Sequence, residues 1–216
     1  TFLYTVADGI FITRGVGSSG IAAVNIGYPI INFTVALSLM FGIGGATLIT
    51  FKKGNIRLQN IYFTHIIFLN VVVYIIAAAV IFLFTNPLMM AMGANEELLP
   101  MVKGYMYPCT VSTSFLMIAT SLNAVVRSDN APKRAMHSTL IGAGMNIILD
   151  YLFIFKFHLG IEGGAYATAI SQIAAAIYLC RHFAGSTFKL NLSWKRLSFK
   201  IMRRIISIGF PSFILE

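Results

Sequence analysis

Two carboxylates stand inside long apolar stretches of this 216-residue chain. Asp8 lies in Tyr4-Thr5-Val6-Ala7-Asp8-Gly9-Ile10-Phe11, and Asp150 closes the run Asn146-Ile147-Ile148-Leu149-Asp150. No Lys or Arg sits at a comparable depth in either stretch. An acid held among hydrocarbon is costly, and by default it marks an ion or substrate pathway. Such a group can take up a proton, or be held ionised by a bound cation. Asn146 and Asp150 are four residues apart, so a helix would put them on one face. An amide carbonyl stacked on a carboxylate suits a hard cation that prefers oxygen ligands.

Weaker candidates surround these. Thr168 and Ser171 either add hydroxyl oxygens to that ion site or hydrogen-bond neighbouring helices, as such residues commonly do in membranes. Asn32, Thr34 and Ser112 either line a cavity or bond back to their own helix. His65 falls near the end of an apolar stretch and reads as solvated at the membrane interface. Cys109 and Cys180 lie in different stretches and read as packing residues, with no ligand or redox spacing. No P-loop, zinc-ligand cluster or triad pattern is present, so the sequence predicts no enzyme and no cofactor.

The elements that must position these side chains are membrane helices. The chain is 57% hydrophobic and 11% charged, with a mean hydropathy of +0.81. A soluble domain carries about 25% charged residues, too many for this chain to match. A bilayer-crossing helix needs roughly 20 apolar residues, and alternation with period two, the mark of a transmembrane barrel, is absent. The fold class expected is therefore all-α, a polytopic integral membrane protein built as a six-helix bundle.

The apolar segments run over residues 1–13, 21–51, 61–84, 98–126, 135–155 and 161–183, with a further one beginning near 205. The first is too short to cross and reads as having lost its leading half. The last is only begun. Three regions follow: 1–184 as a six-helix lobe, 185–206 as a basic amphipathic linker, and 207–216 as the start of a seventh helix. Within the linker, Leu190, Trp194, Leu197, Ile201, Ile205 and Ile208 recur at helical spacing with cations between them. That pattern suits a helix lying on an anionic leaflet, or else a plain basic connector.

Charge orients the bundle. The net charge is +9, and thirteen of the sixteen Lys and Arg fall in three alternate loops, around residues 52–57, 127–134 and 181–204. Lys and Arg accumulate on the cytoplasmic side, which predicts a cytoplasmic amino terminus and linker in the inner membrane. The charge thus belongs to membrane topology, with membrane lipids as partners and no nucleic acid.

Taken together, the pieces resemble the multidrug and toxic compound extrusion (MATE) family. The resemblance is carried by Val6-Ala7-Asp8-Gly9-Ile10-Phe11-Ile12 with Gly15-Val16-Gly17, by residues 42–49, by Met92-Gly93-Ala94, by Asn146 to Asp150 with Phe153-Ile154, by Leu159 to Thr168, and by Ile208-Gly209-Phe210-Pro211-Ser212. It implies one lobe of a twelve-helix, two-lobe transporter that exports drugs or toxic organic cations in exchange for H+ or Na+. Asp8, Asn146, Asp150 and Thr168 match the amino-terminal-lobe cation site of DinF-like bacterial and archaeal members. The resemblance also implies a carboxy-terminal lobe as the partner that completes the transport cleft. A lipid-linked oligosaccharide flippase of the same superfamily is one alternative, and would favour cations in its cavity. A non-transporting membrane scaffold is the other, and would need no buried acids.

Overall fold

The computed structural model describes residues 2–185, 192 and 197–215. The described residues are overwhelmingly helical, without a strand. In chain order the helices are α1 (Phe2–Gly15), α2 (Ser18–Phe51), α3 (Ile56–Leu83), α4 (Thr85–Ala91), α5 (Leu99–Ser128), α6 (Pro132–Asp150), α7 (Gly160–Gly185) and α8 (Phe199–Ile214). A π-helical turn, Tyr151–Lys156, continues α6 directly. Among the described residues, five helical stretches are long and apolar enough to cross a membrane: α2, α3, α5, α6 with its π turn, and α7 up to Phe183. Helix α1, at 14 residues, rises only about 21 Å and falls short of the ~30 Å hydrocarbon thickness.

The expected segments and the helices agree to within a few residues, with two informative differences. The short helix α4 follows α3 after a single residue, where the sequence suggested only a connector. The boundary expected at 206 falls inside α8, which is continuous from Phe199. Of the proposed amphipathic pattern, Leu190 and Trp194 lie outside the described residues. Leu197 lies just before α8 and is exposed, while the rest belongs to a helix packed into the bundle: Ile205 is buried, and Ile201 and Ile208 pack on the same cluster.

Local chemistry sets the ends. Asn55 caps α3 by accepting from the Leu58 N–H at 3.1 Å, one of the orphan donors of a helix start. Gly17 turns the chain between α1 and α2 at φ 95°, a conformation that other L-residues rarely adopt. Pro132 opens α6, where its missing N–H costs nothing.

Helix α5 is the central element, flanked by α2 on one side and α7 on the other. Lipid tails are as apolar as the helices, so close backbone approach and interhelical hydrogen bonds hold such a bundle together. Gly42 of α2 shows this: a Cβ there would come 2.8 Å from Ser121 Cα of α5. A methyl on Gly44 would strike the Ile205 carbonyl of α8, and one on Gly209 would strike the Met40 carbonyl of α2. Between these crossings, Ser38 donates to the Met117 carbonyl at 2.6 Å, Ser121 to the Ser38 carbonyl at 3.1 Å, and Asn70 to Ser121 Oγ at 2.9 Å.

His65 overturns its expectation. It is fully buried rather than solvated. The Ser198 N–H donates to its Nε2 at 2.9 Å, while Nδ1 lies 2.6 Å from the Ile61 carbonyl. A backbone N–H can only donate, so Nε2 accepts and Nδ1 carries the proton. His65 therefore holds the beginning of α8 against α3.

Candidate functional site

Helix α1 packs against α6, its π turn and α7, and this junction collects the predicted acids. Asp150 is the last residue of α6 and is 0% exposed. Neither of its carboxylate oxygens has a hydrogen-bond partner among the described residues. Asn146, one turn earlier and also buried, donates from Nδ2 to Thr168 Oγ1 of α7 at 3.2 Å. Its carbonyl Oδ1 is left without a donor. From α1, Asp8 contributes a third unpartnered group, its buried Oδ1. That oxygen faces α7 where Gly164 carries no side chain: a Cβ there would sit 3.5 Å from it.

Four buried oxygens carried by the packed helices α1 and α6 thus have no donor among the described residues: Asp8 Oδ1, Asn146 Oδ1, Asp150 Oδ1 and Asp150 Oδ2. Buried polar atoms are ordinarily hydrogen-bonded, and an uncompensated carboxylate is the costliest exception. The set has the chemistry of a proton acceptor or of an oxygen cradle for a hard monovalent cation.

Beside this junction runs a cleft of about 780 Å³, lined by residues of α1, α2, α5, α6 and α7. At one end stand Asp8, Tyr28 and Tyr105; at the other stand Thr50, Phe51 and Arg127. Tyr28 to Thr50 along α2 and Tyr105 to Arg127 along α5 are each 22 residues apart. At 1.5 Å per residue the cleft is therefore about 33 Å long, a full bilayer crossing.

The predicted residues divide around this cleft. Asp8 and Thr168 line it, whereas Asn146 and Asp150 lie behind its wall. Asp8 and Thr168 are accordingly common to the cleft and the oxygen cluster. Asn32 and Ser112 line the cleft, and Ser112 also donates to the Cys109 carbonyl of its own helix at 2.9 Å. Thr34 does not: its hydroxyl donates to the Ile31 carbonyl at 2.7 Å, and it faces a separate small crevice between α2, α3 and α5. Ser171 also stays apart, donating to the Thr168 carbonyl of its own helix at 2.8 Å.

A second polar cluster went unread in the sequence. Asp129, just past α5, accepts from His182 Nε2 of α7 at 2.8 Å, and Arg134 Nη1 of α6 lies 3.1 Å from His182 Nδ1. The three residues are spread over more than fifty positions, so no local spacing could have revealed them. The two tyrosines beside Asp8 were likewise hidden, because aromatic residues in apolar helices look like packing.

The MatE family profile matches residues 1–152. The multidrug export protein MepA of Staphylococcus aureus (strain NCTC 8325 / PS 47) is 27% identical over 218 residues, covering 99% of this chain and 48% of the relative. The protein of the same name from Staphylococcus saprophyticus is 28% identical over 218 residues with the same coverage. A crystal structure of MATE in the bent conformation superposes with a TM-score of 0.87 at 25% identity, covering 98% of this chain and 48% of the other. The chain spans about half the length of the curated relatives it matches.

Proposed function

Because the chain belongs to the MatE family, we propose that it forms the amino-terminal lobe of an antiporter that exports drugs or toxic organic cations across the cytoplasmic membrane in exchange for H+ or Na+. The observation that carries this reading is the sharing of Asp8 and Thr168 between the cleft and the oxygen cluster. Cargo in the cleft and a small ion in the cluster then bias the same side chains. Two ligands that favour different states of one element are coupled by their difference in affinity. Asp150, behind the wall, holds the ion; Asn146 and Thr168 orient around it; Asp8 faces both ligands.

The charge pattern favours a cationic cargo over the acidic headgroup of a lipid-linked sugar. The deep end of the cleft carries an acid, and Arg127 stands about 33 Å away at the other end. A scaffold would have no use for two buried acids gathered at one helix junction. The distribution of Lys and Arg among the loops supports a cytoplasmic amino terminus, and in that orientation the Arg127 end of the cleft opens inward. A carboxy-terminal lobe supplies the opposite wall.

The test is Asp150→Asn in the transporter expressed in full from its own gene. Export of an organic cation should fall to background while the amount of protein in the membrane is unchanged. Export at the wild-type rate would sink the assignment.

A further inference from the structure

The π turn Tyr151–Lys156 is the least regular piece of backbone next to the oxygen cluster, and it starts one residue after Asp150. Its width is set by an i→i−5 bond, with the Phe157 N–H donating to the Leu152 carbonyl at 2.9 Å. Such turns are rare, hold one residue more than an α turn, and occur most often at functional sites. This one is wedged between two helices. On one side, a Cβ on Gly163 of α7 would come 3.1 Å from Phe153 Cβ. On the other, a Cβ on Gly15 of α1 would collide with the Cγ2 methyl of Ile154, a residue only 3% exposed. Phe155 then packs edge-to-face on Phe11 at 5.9 Å. Phe11 is three residues after Asp8, on nearly the same face of α1.

We propose that this π turn is the positioning element that passes the state of Asp150 to α1, acting through the contact of Ile154 with Gly15. The inference rests on the antiport reading. A π turn and an α turn are two discrete arrangements of the same residues. Tightening one into the other shifts the following side chains by about one residue, roughly 100° and 1.5 Å. Ligation of Asp150 at the head of the turn selects between them. Gly15 leaves room for Ile154 in the wide form only by lacking a side chain, and Phe11 and Phe155 move with that contact. Helix α1 carries Asp8 in the cleft wall, so the shift reaches the cargo.

The experiment uses the transporter expressed in full from its own gene, with export measured against ion concentration and, separately, against cargo concentration. Gly15→Ala should displace the ion concentration for half-maximal export by about tenfold, within the 5–150-fold range of typical couplings. Because ion and cargo favour opposite forms of the same element, the cargo concentration for half-maximal export should move in the opposite sense. Adding Ile154→Leu, which removes the Cγ2 methyl at constant volume, should restore the ion dependence. Phe11→Leu should displace it in the same direction as Gly15→Ala, and serves if the alanine variant does not accumulate. An unchanged ion dependence, or a displacement that Ile154→Leu does not reverse, overturns the proposal. A loss of protein without a change in ion dependence also overturns it, since that is packing alone. If instead Asp150→Asn keeps ordinary ion-dependent export, the antiport reading itself falls.

Discussion

Asp129 and Asp150 are the same residue type at the same kind of place, the carboxy-terminal end of a long helix, yet their surroundings are opposite. Asp129, the more exposed of the two, accepts from His182, which Arg134 contacts in turn. Asp150, at 0% exposed, has no partner among the described residues for either oxygen. If burial alone dictated pairing, the order would be reversed. The partnered acid ties the ends of α5, α6 and α7 together and has little left to offer a ligand. The unpartnered one leaves its cost uncompensated within the lobe, which is sensible only if a ligand compensates it. One cluster holds the bundle, and the other is read as working in it.

Mutations can break this contrast. The largest effect on stability is expected for His182→Ala, which removes the buried imidazole that contacts both Asp129 and Arg134. A hydrogen bond of this kind contributes about 0.5–1.5 kcal/mol, so thermal unfolding in detergent should shift down while the ion dependence of export stays put. Asp150→Asn should do the reverse: activity is lost, and unfolding is unchanged or raised, because a nearly isosteric neutral amide replaces an unpaired buried acid. If both variants destabilise equally, the two acids are alike and the comparison collapses. Thr168→Val comes next. It removes the hydroxyl that Asn146 contacts, and ion affinity should weaken by about tenfold, or ~1.4 kcal/mol, read from the ion concentration for half-maximal export. Ser171→Ala should do least, within about 0.5 kcal/mol, since its hydroxyl only bonds its own helix. A large export defect there would put Ser171 back among the ion ligands.

The sequence disclosed whatever depends on solvent preference or on spacing within one helix. Long apolar runs became α2, α3, α5, α6 and α7 because a bilayer rewards nothing else. Asp8 and Asp150 stood out because acids are rare at such depth, and Asn146 joined them through a four-residue spacing. Contacts across long separations stayed hidden. His65 meets Ser198 over 133 residues, and neither partner signals the other, so a buried cap read as an interfacial histidine. The π turn is hidden for a different reason. Residues 151–156 are apolar and aromatic like any span, and nothing in that pattern separates a wide turn from an ordinary one. Hydroxyl residues were the least legible: Thr34, Ser112, Thr168 and Ser171 look alike in sequence, yet only Ser112 and Thr168 reach the cleft.

The central claim is that ion and cargo are antagonists because Asp8 and Thr168 belong to both sites. Binding of a fluorescent lipophilic cation to the purified transporter, expressed in full from its own gene and titrated against protons and against Na+, tests it most directly. One of the two ions should weaken dye binding by about 5–150-fold, and that antagonism should vanish in Asp150→Asn, although Asp150 does not line the cleft. Antagonism of undiminished size in Asp150→Asn would contradict the account.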